Sequence, residues 1–278
     1  MQITKHGHIL NAKHNEFITD YIHGAQQRAQ DLGISIEVAF YPGIESAHNA
    51  MSQSGSRVDG LIILGTELST SDITLLSSLA FPKVTIDATY PLVPTDFVDM
   101  DNQDSIFRVI EYLTRLGHRS IGLVKSRYQT PNFLSRERAF WDARNYFPFH
   151  VHESDVFEVD STFEGAYKDM RELLSKKKPE ATALFCLNDI LAYGVLQAIT
   201  ESGHRVPQDI SLVGFDNLQA SQYSNPPLTS IEVPKNQIGS QAIDTLLARI
   251  NRPEKSYSTT LIQGSLVERG SVLNRNLP

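Results

Sequence analysis

Short continuous apolar runs recur along this chain, and between them apolar residues return at intervals of three or four. The first habit is that of a strand buried on both faces, the second that of an amphipathic helix. Both are clearest between Ala183 and Ile231. Ala183–Leu187 predicts a strand that ends at Asn188. Asn188 is a good N-cap, because its side chain accepts hydrogen bonds from the unused N–H groups of a first helical turn. Leu191, Val195 and Ala198 then share one helical face, and Gly203 supplies the left-handed residue that stops a helix. Ile210–Phe215 predicts the next strand. A strand-helix-strand crossover makes its two strands parallel neighbours.

The same alternation runs through the rest of the chain. Strands are expected at His8–Leu10, Ile36–Phe40, Gly60–Leu64, Lys83–Asp87 and Phe97–Asp101. Helices are expected at about Phe17–Leu32, Ser46–Ser52, Asp72–Leu79 and Ser105–Leu116, with Phe17, Tyr21, Ala25 and Leu32 on the buried face of the first. Pro42-Gly43 reads as a turn and Gly117 as a helix stop. The series then starts again with a strand at Ser120–Val124, a helix at Ser135–Tyr146 offering Phe140 and Tyr146 to a core, a strand at Val156–Val159 and a helix at Phe163–Leu174. Ile238–Ile250 predicts an amphipathic helix, and Thr260–Ile262 and Leu266–Val267 two last strands. A β-α series that starts twice implies two similar doubly wound α/β lobes with parallel sheets, rather than one sheet. No Gly/Ser-rich or Pro-rich linker separates them, and the boundary near Gly117-His118-Arg119 is weakly marked.

Composition narrows the function classes. A hydrophobic share of 41% and a charged share of 21% are ordinary for a soluble globular protein. A net charge of −7 over 278 residues argues against a broad basic surface for phosphate backbones. Cys186 is the single cysteine, which excludes an internal disulfide and is expected to be a buried core thiol. No apolar run approaches the roughly 20 residues of a membrane span, and the N-terminus has no signal-peptide pattern; a cytoplasmic location is expected. His6 and His8 are too few to make a metal site, and Asp99, Asp101 and Asp104 lack the glycine and the closing glutamate of a calcium loop. No phosphate-binding glycine loop, nucleophile elbow or nucleophile–base pair stands out. No cofactor, metal or enzymatic activity is therefore expected.

In open α/β sheets ligands bind beyond the carboxyl ends of the strands. Asp101, Asn188 and Asp216 stand at such ends, and Arg138 is placed in the first turn of a helix that faces the same crevice. Carboxylates, an amide and a planar guanidinium suit a hydroxyl-rich ligand. Each residue also has a plainer reading: Asn188 as an N-cap only, Asp216 as part of an Asp-Asn turn, Arg138 as a surface charge beside Glu137.

The run NDILAYGVLQAITESGHRVPQDISLVGFDN, the following NPPLTSI and the late LVERGS resemble the LacI/GalR family of bacterial transcriptional regulators, and the resemblance extends over essentially the whole chain. It implies the family's effector-binding core, a periplasmic binding protein-like type I fold of two lobes with a ligand cleft between them. It also implies three chain crossings, near Gly117–Arg119, Glu232–Lys235 and Ile262–Leu266. The expected lobes are then residues 1–118 with 235–262, and 119–234 with 263–278. The family's binding aspartate maps to Asp101 in Asp101-Asn102 and its binding arginine to Arg138 in SRERAFW. Its Asn-Asp pair maps to Asn188-Asp189, and its Gly-aromatic-Asp to Gly214-Phe215-Asp216. Phe17 is the aromatic of the first loop, where it either stacks on a sugar face or is a core helix residue. Thr66 joins this expected ligand-binding set. The chain departs from the pattern at Glu16, where proline is usual, and at Trp141, where glycine follows the arginine by three. Either Ser161 or Phe163 stands where an aromatic is usual. The resemblance further implies a small effector, most often a sugar, and a homodimer that meets operator DNA only through an N-terminal helix-turn-helix that is absent before Gln2. The alternative is a solute-binding protein of a sugar transport system.

Overall fold

The computed structural model describes residues 2–3, 15–41, 43–53 and 58–277. The expected strand His8–Leu10, with His6 and His8, lies outside these, as does Pro42. The contacts group the chain into two units. Unit 1 is Met1–Asp101, Thr130–Asn132 and Pro234–Ile262; unit 2 is Asn102–Gln129, Phe133–Val233 and Gln263–Pro278.

The first stretch contains β1 (Gln2–Ile3), α1 (Asn15–Asp31), β2 (Phe40–Tyr41), α2 (Ile44–Gln53), β3 (Leu61–Leu64), α3 (Thr70–Ser77), β4 (Lys83–Ile86) and β5 (Asp96–Met100). Ser69 caps α3 by accepting from the Asp72 amide, while the Asp72 carboxylate accepts from the Ser69 amide, a reciprocal pair that satisfies two helix-end donors. The strand expected at Ile36–Phe40 is only Phe40–Tyr41. It lies at the edge of its sheet with Phe40 65% exposed, so one neighbour, β1, supports it over two residues.

The second stretch contains α4 (Asn102–Arg115), β6 (Ile121–Ser126), α5 (Pro131–Ala143), β7 (Val156–Val159), α6 (Phe163–Lys176), β8 (Ala183–Cys186), α7 (Asp189–Glu201), β9 (Ser211–Val213) and β10 (Ser230–Glu232). The chain closes with α8 (Lys235–Asn251), β11 (Thr259–Ile262) and β12 (Ser265–Val267). The sequence division at 118 kept α4 with the first lobe, whereas the contacts group it with unit 2. There Asn102 accepts from Arg136 and the Arg115 carbonyl accepts from Asn276.

Unit 1 is built on one parallel sheet of strand order β11-β5-β4-β3-β1-β2. Unit 2 has a parallel sheet of order β7-β6-β8-β9 and a separate antiparallel pair, β10 with β12. The crossover through α7 makes β8 and β9 parallel neighbours, as its pattern predicts. Phe140, Phe185 and Phe215 are fully buried in unit 2, with the Phe140 and Phe185 rings stacked at 6.1 Å. Tyr146, expected in that core, is 69% exposed and lies against Phe107 beyond the end of α5.

The buried face of α1 is Ile18, Tyr21 and Ala29, and Leu32, past the helix end, is 41% exposed. The face is turned by close packing of α1 on α8. A Cβ on Gly24 would stand 2.0 Å from the Asn236 carbonyl oxygen, and one on Gly239 would stand 2.1 Å from that of Tyr21. Only glycine lets the two backbones approach so closely.

Candidate functional site

Parallel strands bring all their carboxyl ends to one edge of each sheet. On the unit 2 edge the dominant group is Arg136, on α5, 3% exposed. Its Nε donates to Asn102 Oδ1 at 3.0 Å and one terminal nitrogen donates to the Leu187 carbonyl at 2.8 Å. The same nitrogen lies 3.3 Å from Asp216 Oδ1. The guanidinium stacks on Phe215, its carbon 3.7 Å from the ring centroid, an arrangement that suits a weakly hydrated planar cation. Asp216, 7% exposed, follows β9 at φ +104°, and Asn217 follows it at φ +46°. Two consecutive non-glycine residues in the left-handed region are costly and need surrounding support.

That support includes Asp189, the first residue of α7, whose side chain is fully buried. Its carboxylate accepts from the Leu218 amide at 2.8 Å, Ser221 Oγ at 2.7 Å and Ser230 Oγ at 2.6 Å. Its backbone amide donates to the Phe215 carbonyl at 2.7 Å. Burial, and then the neighbouring Asp216 carboxylate, push Asp189 up to about 7, against the pull of those three donors. Asn188 is an N-cap: its Oδ1 accepts from the Leu191 amide at 2.9 Å, and the residue is 7% exposed. Ser161, just beyond β7, is 3% exposed, and its Oγ has no hydrogen-bond partner among the described residues.

On the unit 1 edge the centre is Asp87, which follows β4 at φ +59° and is 1% exposed. Tyr21 donates its hydroxyl to Asp87 Oδ1 at 2.8 Å, and the Thr66 hydroxyl donates to Oδ2. Asn132 donates to both the carbonyl and Oδ1 at 3.0 Å. Thr66 is thus buried against a carboxylate. Asp101 follows β5, is half-buried, and its amide donates to the Ile262 carbonyl at 2.8 Å. Phe17 lies in the first turn of α1, edge-on to Tyr21 at 5.4 Å, with Lys235 Nζ 5.1 Å from its ring centroid. A cavity of about 160 Å³ in unit 1 is lined by Asp96, Arg249, Ser258 and Thr260, at the amino ends of β5 and β11 and so at the edge opposite Asp101. Its walls are tied up by the buried Asp96–Arg249 ion pair at 2.8 Å. Among the described residues no group of three or more His, Cys, Asp or Glu is placed to hold a metal ion, and no helix is long and apolar enough to cross a membrane.

Residues 110–272 match the model of the periplasmic binding protein-like domain. The HTH-type transcriptional repressor PurR of Haemophilus influenzae is 32% identical over 272 residues, 96% of this chain and 80% of that protein. The chain belongs to the LacI/GalR family of transcriptional regulators. The ribose operon repressor of Haemophilus influenzae is 28% identical over 269 residues, covering 96% of this chain and 80% of the relative. A LacI family regulator from Enterococcus faecium, solved with bound ribose, superposes with a TM-score of 0.78 at 25% identity, covering 98% of both chains. The lac repressor dimer bound to operator and the anti-inducer ONPF superposes with a TM-score of 0.81 at 25% identity, over 98% of this chain and 93% of that one. The α/β fold with parallel sheets expected from the sequence is the fold of these regulators.

Within the LacI/GalR pattern the structure corrects one placement. Arg138 was put in the first turn of its helix, but α5 begins at Pro131, and Arg138 falls in its second turn with its side chain exposed. Arg136, two residues earlier on α5, is the arginine whose side chain meets the Leu187 carbonyl and Asp216 beyond the strand ends. The spacing carried a signal that was missed: three residues after Arg136 stands Ala139, a small residue where the pattern has glycine, whereas three after Arg138 stands Trp141. Asp87, Asn132 and Asn102 were missed as well. Asp87 was read as the end of a strand, and its hydrogen-bond partners lie 66, 21 and 45 residues away, beyond the reach of local pattern.

Proposed function

We propose that this chain is the effector-sensing core of a transcriptional repressor and that its effector is a small hydroxylated molecule of the sugar class. The observation that carries the reading is the buried Arg136–Asp216 pair stacked on Phe215. Guanidinium donates and carboxylate accepts, and a hydroxyl does both, so neighbouring hydroxyls on one ligand satisfy such a pair. Ser161, one of the two residues that stand where the family usually has an aromatic, adds a buried hydroxyl. A repressor of the ribose operon and a ribose-bound regulator among the similar proteins make ribose the first ligand to try.

Phe17, Thr66 and Asp101 on the unit 1 edge, and Asn188 on the unit 2 edge, are kept as ligand-binding candidates. The Thr66 proton is given to Asp87, so toward a ligand its oxygen is an acceptor. The cap uses the Asn188 oxygen, so toward a ligand its amide N–H groups are what it offers. Arg138 is not retained. The repressor acts in the cytoplasm as a closed twofold dimer, meeting operator DNA through a helix-turn-helix.

Calorimetric titration with ribose, other pentoses, hexoses and disaccharides tests the reading. Ribose or another of these is expected to bind, and Arg136→Ala to weaken it by more than tenfold, the loss expected when a buried charged hydrogen bond goes unmade. No binding by any of them removes the sugar class. Binding unaffected by Arg136→Ala moves the site away from this edge.

A further inference from the structure

We propose that Asp189 is the positioning residue of the effector site: it holds the Phe215–Leu218 turn in the conformation that presents Asp216. This deepens the proposed function, because Asp216 is one of the groups that reading gives to the effector. The argument starts from the backbone. Asp216 at φ +104° and Asn217 at φ +46° form a turn that side-chain-bearing residues rarely adopt. Such a turn persists where its neighbours over-determine it. Asp189 grips it at both ends. Its amide donates to the Phe215 carbonyl at 2.7 Å, just before Asp216, and its carboxylate receives the Leu218 amide at 2.8 Å, two residues after.

The same carboxylate ties the turn to two further segments, through Ser221 Oγ at 2.7 Å and Ser230 Oγ at 2.6 Å. Ser230 in turn accepts from the Asn217 amide at 3.1 Å. Gly214, next to the turn, leaves no room for a side chain, since a Cβ there would stand 2.1 Å from Asp189 Oδ1. Phe215 is the ring on which Arg136 stacks, so one residue sets the place of both members of the ion pair. Asp189 itself is fully buried and acts only through the turn.

Amide hydrogen exchange and ribose titration of Asp189→Leu and Asp189→Asn in the intact chain test this. Leucine keeps the volume and removes every acceptor; asparagine keeps the shape and one acceptor oxygen. Exchange at residues 215–218 is expected to accelerate at least tenfold in Asp189→Leu, with β6, β7 and β8 unchanged, and ribose affinity to fall at least tenfold. Asp189→Asn is expected to stay within about threefold of the parent on both counts. Uniform acceleration across unit 2, equal behaviour of the two variants, or no change at 215–218 overturns the proposal. If Asp189→Leu does not fold, Ser230→Ala and Ser221→Ala take its place. Each removes one donor, and faster exchange confined to the turn is expected; an unaltered turn in both overturns it. If the parent chain binds no ribose, the ribose assignment falls, while the exchange measurement still decides the role of Asp189.

Discussion

Each unit has a buried carboxylate near the carboxyl end of a central strand: Asp87 beyond β4 in unit 1 and Asp189 beyond β8 in unit 2. Their surroundings differ. Asp87 is met by hydroxyls of Tyr21 and Thr66 and the amide of Asn132, contributed by three separate segments. Asp189 is met by Leu218, Ser221 and Ser230, all from the single stretch that follows β9. Asp189 also has a second carboxylate, Asp216, close by, and that one is balanced by Arg136. A buried carboxylate needs several donors to offset its lost hydration. Two in one neighbourhood need a cation or a shared proton as well. Unit 1 thus uses its carboxylate to gather segments, whereas unit 2 builds an ion pair and a clamp for the turn that carries it.

The sharpest way to break the comparison is to remove the cation. Arg136→Ala leaves Asp216 buried without its ion-pair partner and the Leu187 carbonyl without a donor. Urea denaturation is expected to show a loss of about 3–5 kcal/mol; a loss under 1 kcal/mol would mean that Asp216 is held by other groups. Next comes Asp87→Ala, which strips an acceptor from three donors and is expected to cost about 3 kcal/mol. Tyr21→Phe, removing one of those donors, is expected to cost about 1 kcal/mol. If Asp87→Ala costs no more than Tyr21→Phe, Asp87 does not organise its edge.

The pH dependence of stability sharpens the contrast. Asp189 is raised from 3.8 to about 7, first by burial. The folded state therefore binds the extra proton, and the stability this group contributes is complete below about 4 and is lost as pH rises through 7. His118 in the same unit is lowered from 6.5 to about 4, mainly by burial. Its rings of contact, Thr182 Oγ1 at 2.9 Å and the Leu273 carbonyl at 3.0 Å, are made by a fully buried imidazole. Its contribution is complete above 6.5 and lost as pH falls toward 4. Between about pH 4.5 and 6 the two slopes oppose each other. Asp189→Asn removes one of them. Relative to the parent, that variant is expected to lose stability on acidification by about 1.4 kcal/mol per pH unit across this window. Parallel pH profiles from thermal or urea unfolding would assign the proton elsewhere. The smallest effect belongs to Arg138→Ala: exposed on α5, it is expected to change stability by no more than about 0.5 kcal/mol and to leave ribose titration unaltered.

Much of the fold was legible because parallel strands and their crossover helices write their burial into local pattern. Val156–Val159 was read to the residue, Asn188 was placed correctly as an N-cap, and Gly117 and Gly203 stop their helices at φ +88° and +85°. The misreadings fall where burial is settled by distant neighbours. Leu32 and Tyr146 have the chemistry of core residues, yet both are exposed. Of the expected α1 face Tyr21 is buried, but Ile18 and Ala29 join it in place of Leu32, because Gly24, which looks like a weak point in a helix, packs against the backbone of α8.

The amino-acid sequence by itself determined the class of fold, the twice-started α/β series and, through its late motifs, the regulator family. It also set the strand-end residues Asp101, Asn188 and Asp216 beside their strands, since position along a parallel strand decides which edge its last residue meets. Between Arg136 and Arg138 the sequence held only a faint signal, the small Ala139 three residues after Arg136, and tertiary structure made the choice. The two differ by two positions on one helix, about 200° around its axis, and the packing of α5 against Phe215 and Leu187 shows which of them is turned inward. The same is true of Asp87 and Asp189, whose donors lie 21 to 66 residues away in sequence. Hydrogen bonds over such separations leave no periodic trace in a chain, because they are chosen by where the chain returns and not by how it repeats.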